Sequence, residues 1–167
     1  TLEAEKRGNP KIIKMKVRRF SQSQGLLVFP NLDSNYDQLY SSFLKTRLGC
    51  LYKAIPWSKL VSDLELYEYR KGPQCIFSPR GKIALMFLKH YVGCSDFKLI
   101  EHINGNIHYQ IFCDIIIPTN SPITNYKIVS EIRCELAKKL DIDKLQHTLA
   151  NHWRPHMTNL DSMVCDA

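Results

Sequence analysis

The sequence predicts a mainly α protein, a multi-helix bundle with helix-turn-helix-like elements, and three observations predict it. From Asn35 onward apolar residues recur at spacings of three and four. Serine–proline pairs and single glycines fall where helices should start and stop, and strand-like alternation is scarce. About seven helices and little sheet are expected from these periods.

The elements follow in order. Residues 1–34 show no sustained period and read as a basic N-terminal arm, in which Gly25–Pro30 is either one short strand or a packed extended segment. Leu39, Phe43, Leu44, Leu48 and Leu51 predict an amphipathic helix over 36–52. Pro56 interrupts it, and Trp57, Leu60, Val61 and Leu64 mark a shorter second helix. Gly72-Pro73 makes 68–77 a loop.

Ser78-Pro79 is the clearest helix start, because the serine hydroxyl can cap and proline at the first helical position forfeits no hydrogen bond. The run from Ile83 to Leu88 is apolar nearly all round, so this helix should be central to the core. Gly93 suits a left-handed stop, and Ser95 or Asp96 should cap the next helix, which carries Phe97, Ile100 and Ile103. Asn104-Gly105-Asn106 should end it, with 107–112 short and compatible with helix. Ser121-Pro122 repeats the cap-plus-proline signal and should begin a helix to Leu140, and a last helix should run from Lys144 to near Pro155.

Composition narrows the function classes. Apolar residues make up 44% of the 167, enough for an ordinary core and against wholesale disorder. No stretch approaches the roughly 18 apolar residues of a membrane span, and no secretory signal opens the chain, so a cytoplasmic protein is expected. The six cysteines form no CxxC and no closely spaced pair, and they read as reduced, mostly buried small hydrophobes.

The formal charge of +7 is concentrated. Residues 1–20 carry Lys6, Arg7, Lys11, Lys14, Lys16, Arg18 and Arg19 against Glu3 and Glu5. Residues 70–98 carry Arg70, Lys71, Arg80, Lys82, Lys89 and Lys98 against Asp96 alone. Clustered bases favour a polyanion, and in a cytosol nucleic acid is the commonest one.

The helix, glycine turn and helix over 82–103 resemble a helix-turn-helix, whose second helix lies in the major groove. One position departs from the pattern: four residues before Gly93 stands Lys89, where a small buried residue is usual. His147, His152 and His156 have no carboxylate or cysteine at ligand spacing and read as exposed helix histidines rather than a zinc site. No phosphate loop, nucleophile elbow or paired-glycine fingerprint occurs.

The stretch from Ser78-Pro79-Arg80-Gly81-Lys82 through Asp114 resembles the N-terminal domain of InsH-type transposases of bacterial insertion sequences. The matching features are the apolar helix Ile83–Tyr91, Gly93, Ser95-Asp96, and the segment from Ile107 to Phe112 that ends in an aromatic. Ile55-Pro56-Trp57 is similar to the family's tryptophan element, and Pro118–Ile123 with Tyr126–Arg133 to its proline-led segment and arginine-bearing helix. The likeness spans about 36–166. The family often carries Arg-Trp-Phe-Leu-Gly where this chain has Gln110-Ile111-Phe112-Cys113-Asp114.

Met163–Ala167 looks like the first strand of a ribonuclease-H-like DDE domain, which the resemblance makes the site of the first catalytic carboxylate, Asp166. Such a site needs further acidic ligands to hold magnesium, so the resemblance implies a full-length enzyme that uses magnesium and a fragment that is no enzyme by itself and completes no metal site.

It also implies a division into the arm 1–34, a DNA-binding region 35–158 and a strand of a truncated catalytic domain at 159–167. The expected partner is double-stranded DNA at the element's ends, in the bacterial nucleoid, contacted by Arg80, Lys82, Lys89, Lys98, Lys127 and Arg133. The alternatives are a helical dimerisation module acting as a homodimer, or an inactive truncated remnant.

Overall fold

A computed structural model describes residues 17–20, 33–68, 75–118 and 120–157. The described residues form eight α-helices, one isolated antiparallel bridge between Arg18 and Ile116, and no longer strand pairing. Residues 158–167, with the expected strand and Asp166, and the segment Gly25–Pro30 lie outside the described residues.

Helices α1 (Asp33–Leu44) and α2 (Arg47–Ala54) replace the single helix expected over 36–52. The break has a local cause and a packing cause. Thr46 leaves helical geometry and its hydroxyl accepts from Gly49 N at 3.0 Å, a capping bond that starts a new helix. Gly49 then lets α2 fold back against the end of α1, so closely that an added Cβ would lie 2.1 Å from the Phe43 carbonyl oxygen. The hydrophobic period runs unbroken across the junction and therefore concealed it.

Helix α3 (Trp57–Asp63) follows Pro56 and ends in a Schellman arrangement, with Leu66 N donating to Val61 O and Glu65 N to Ser62 O. Glu65 stands at the left-handed position, φ 48°, where glycine is the usual occupant.

Helix α4 (Pro79–Val92) begins as its sequence predicts. Ser78 Oγ accepts from Gly81 N at 3.0 Å, and Pro79 occupies the first turn. Ile83, Ala84, Leu85 and Leu88 are buried, and α4 packs against α3, against α5 (Asp96–Gly105), against α6 (Ile107–Phe112) and against α7 (Lys127–Lys139). It is the central helix. Gly93 closes it in the left-handed conformation, φ 66°, and Ser95 caps α5 by accepting from Lys98 N. Asn106 has two functions: it ends α5, and its side-chain Oδ1 accepts from His108 N and Tyr109 N to start α6.

The start of α7 is a correction. Ser121-Pro122 begins no helix; α7 starts at Lys127, whose N–H is accepted by the Asn125 side chain at 3.1 Å. The Asn104 amide explains why. It donates to Ile123 O at 2.8 Å and accepts from Ile123 N at 3.0 Å, holding the segment extended while Ile123 is buried. The serine–proline signal is local, and this pair of bonds from a residue 19 positions away overrides it.

Helix α8 (Ile142–Trp153) is capped by Asp141 and ends in a short 3-10 turn, Arg154–His156, that contains Pro155. Thr148 Oγ1 donates to Asp63 Oδ2 at 2.6 Å and Trp153 Nε1 to Ala54 O at 2.9 Å, so α8 is tied to the ends of α3 and α2. The buried Gln110 amide does similar work for the segment after α6, donating to Ile103 O and accepting from Ile117 N. Leaving such groups unpaired would cost about 1–3 kcal/mol each.

The cysteines differ from expectation. Among the described residues only Cys113 is buried; Cys50, Cys75 and Cys134 are exposed and Cys94 is intermediate. Cys50 and Cys134 stand on the exposed sides of α2 and α7 and Cys75 in the loop before α4, placements that residue type does not indicate.

Candidate nucleic-acid interface

The six cations nominated from sequence separate into two groups. Arg80, Lys82 and Lys89 all belong to α4, the most enclosed helix, and are engaged internally. The Arg80 guanidinium lies 4.9 Å from the Tyr52 ring centroid and 5.5 Å from that of Trp57, and donates to the Tyr52 hydroxyl at 2.7 Å. Lying over both aromatic rings, it contributes cation–π attraction to the core edge. Burial raises the Tyr52 pKa, against the opposing pull of Arg80, so the phenol stays protonated.

Lys82 is 15% exposed and its ammonium contacts both oxygens of Glu135, at 2.8 and 2.7 Å, linking α4 to α7. Lys89 contacts Asp96 Oδ1 at 2.6 Å and also donates to Cys94 O. This accounts for a lysine four residues before the turn glycine. The side chain is 19% exposed and its ammonium clasps Asp96, the first residue of the next helix.

The second group is open to solvent. Lys98 on α5 and Lys127 at the start of α7 are exposed, and Arg133 is 49% exposed. They flank two solvent-facing aromatics, Phe97 at 54% and Tyr126 at 45% exposure, whose ring centroids are 5.9 Å apart at 79°. Each lysine is the next residue in the chain after one of these rings. Asp96 anchors the face: Arg133 Nη2 reaches its two oxygens at 2.8 and 3.1 Å while Lys89 holds one of them from the other side.

The Lys89 ammonium, with Arg133 beside it, holds the Asp96 carboxyl below the usual carboxylate range, against a smaller opposing effect of burial. A folded-state pKa below the unfolded one supplies stability that is present above the unfolded value, about 3.9, and is lost as pH falls through the folded value. Urea midpoints at pH 7 and pH 3 should therefore converge in Asp96→Asn relative to wild type, the variant being weaker at pH 7 and losing less on acidification. Parallel losses in the two proteins would rule out Asp96 as the acid-sensitive link.

Sequence reasoning missed the aromatic pair and the Asp96 bridge. Phe97 shares its apolar period with Ile100 and Ile103, yet those two are buried while Phe97 is 54% exposed. No sequence signal linked it to Tyr126, 29 positions on.

Adjoining the Asp96 bridge, α3, α4, α7 and α8 leave a cleft of about 880 Å³ lined by Leu60, Leu64, Ile83 and Leu136 and, at its polar edge, by Lys89, Asp96 and Arg133, with Leu140 and Ile142 exposed at the α7–α8 junction. His147, His152 and His156 are exposed, and among the described residues no group of three His, Cys, Asp or Glu side chains is placed to hold a metal ion. Burial pushes the Cys113 thiol far up, which keeps it protonated and removes it as a nucleophile.

Fold and site together define a mainly α, helical-bundle class of protein, and no helix among the described residues is long and apolar enough to cross a membrane. Comparison with family models, with curated proteins and with solved structures returns no match.

Proposed function

We propose that the chain is the DNA-binding part of an insertion-sequence transposase and that it recognises the ends of its element without carrying out catalysis itself. The observation that carries the reading is the α4–Gly93–α5 unit, with Lys98 exposed on its second helix, Arg133 of α7 bound to Asp96 in that helix's first turn, and Lys127 exposed at the start of α7. In a helix-turn-helix that second helix is the one presented to the major groove, and cations at its rim meet phosphates. The sequence resemblance supplies the transposition context. In that context Asp166 would be the first acidic ligand for magnesium, and no catalytic step is assigned to the described residues.

The test is fluorescence anisotropy with duplexes from the element's ends and a scrambled control at two salt concentrations. Lys98→Glu with Lys127→Glu should weaken binding at least tenfold and flatten the salt dependence by about two phosphate contacts. Because both side chains are exposed and unpaired by any acid described above, the double variant should melt like wild type. Wild-type affinity in this variant would overturn the assignment of the face. Lys89 is unsuited to the same experiment, since reversing it would break the Asp96 bridge.

A second reading, a module that pairs two copies of the chain, is favoured by the apolar cleft and by the exposed Leu140 and Ile142 beside it. Sedimentation decides between them: a mass that rises with concentration, without salt-sensitive DNA binding, selects the pairing module.

A further inference from the structure

We propose that the Phe97–Tyr126 pair is a stacking surface for an unpaired base, so that this face binds DNA carrying unpaired nucleotides in preference to intact duplex; the inference rests on the DNA-binding reading above. The exposed large hydrophobics of the described chain are Tyr67, Tyr91, Phe97, Tyr126, Leu140 and Ile142, and among them Phe97 and Tyr126 form a ring–ring pair. Edge-on at 79°, the two rings leave aromatic surface open to solvent. A planar base can stack there, and because every base has a π-face such a contact tolerates any sequence.

The surface is held in place before any ligand arrives. Phe97 sits in the first turn of α5, behind the Ser95 cap and beside Asp96, which Lys89 and Arg133 grip from two helices. Tyr126 immediately precedes α7, on a segment anchored by the two bonds between Asn104 and Ile123. Rigid rings lose little conformational freedom on binding, which favours affinity.

Charge selects the occupant. Exposed Lys98 and Lys127 each adjoin one ring and Arg133 adds part of a third charge, so the apolar surface is framed by groups that suit a phosphate backbone. Glu101, one turn along α5 from Lys98, and Glu131, one turn along α7 from Lys127, are exposed acids on the same two helices. Intact duplex cannot use the rings well: its base faces are covered by their neighbours and only base edges reach the grooves. An unpaired nucleotide presents both a free face and a phosphate.

The experiment compares three labelled DNAs of one sequence with the full chain: a blunt duplex, the same duplex with a four-thymidine overhang, and the single strand. Wild type should bind the overhang duplex about tenfold tighter than the blunt one, the order expected for one stacked base. Phe97→Ala and Tyr126→Ala should each lose most of that preference while blunt-duplex affinity stays within about twofold. Tyr126→Phe should keep the preference, and melting curves on all variants confirm that these exposed positions leave the fold intact. Equal binding of blunt and overhang duplexes, or a preference that survives both alanines, overturns the stacking surface and leaves the DNA-binding reading standing. Failure to bind any of the three DNAs overturns that reading itself. A concentration-dependent mass that disappears in the alanine variants, with no change in DNA preference, reassigns the rings to contact between copies of the chain.

Discussion

Phe112→Ala should lower stability by about 3–5 kcal/mol, the usual cost of removing a fully buried ring and leaving its cavity. Phe112 has no exposed surface and lies where α6 meets the aromatic group of α2 and α3. Its ring centroid is 5.6 Å from Trp57 and 6.1 Å from Tyr52, both edge-on, and Trp57 reaches Phe87 of α4 at 6.1 Å. The Trp57 indole donates to Tyr52 O at 2.8 Å, and Arg80 lies over both outer rings. The cavity would have little chance to collapse, because each of these neighbours is held by a second interaction. Against a typical total of 5–15 kcal/mol the loss is a large fraction of the whole, and the melting temperature should fall by roughly 10 °C. Thermal melting followed by circular dichroism checks it. A shift of only a degree or two would mean that this cluster is not the main tie between α6 and the rest.

Gly49→Ala should be the second large effect, and its sign depends on two opposing terms. Within a helix, alanine is favoured over glycine by about 1 kcal/mol, so secondary structure alone predicts stabilisation. The new Cβ would lie 2.1 Å from Phe43 O, 2.7 Å from Leu44 Cα and 2.9 Å from Leu44 C. All three are backbone atoms of α1 and cannot rotate away. Separating α1 from α2 would uncover Phe43 and Leu48, so the steric term wins and a net loss of about 3 kcal/mol or more is expected. Gly105→Ala is the matched control. It is also helical, an added Cβ there meets nothing within 4 Å, and it should be neutral or gain up to about 1 kcal/mol. Urea unfolding of the two variants beside wild type measures both terms. If Gly49→Ala were as stable as Gly105→Ala, the close approach of α1 and α2 would be refuted.

Features legible in the sequence share one property: their partners are close along the chain. Ser78 with Gly81, Ser95 with Lys98 and Gly93 with Lys89 are bonds spanning three or four residues. The residue types that make them are recognisable without knowing the fold. The central position of α4 was legible for a related reason, since a helix apolar on nearly every side has to be enclosed. Thr46 as a cap could have been read in the same way, but the continuous leucine period carried the reading through it. The separation of the cations was not legible. Lys82 with Glu135 and Arg133 with Asp96 are paired across 53 and 37 residues, and the charge of a lysine gives no sign of whether a distant carboxylate will neutralise it.

By itself the sequence determined a mainly α chain, the start of α4, its glycine stop, the cap of α5 and the surplus of positive charge. Those properties rest on backbone hydrogen bonds and hydrophobic periods that act within a few residues. Only the tertiary structure decided that Arg80, Lys82 and Lys89 are engaged inside, that Lys98 and Lys127 face solvent, and that Phe97 meets Tyr126. The docking of α7 against α4 and α5 brings distant carboxylates to some cations and leaves others in water. Desolvation and pairing energies are set by that docking, which no local pattern encodes.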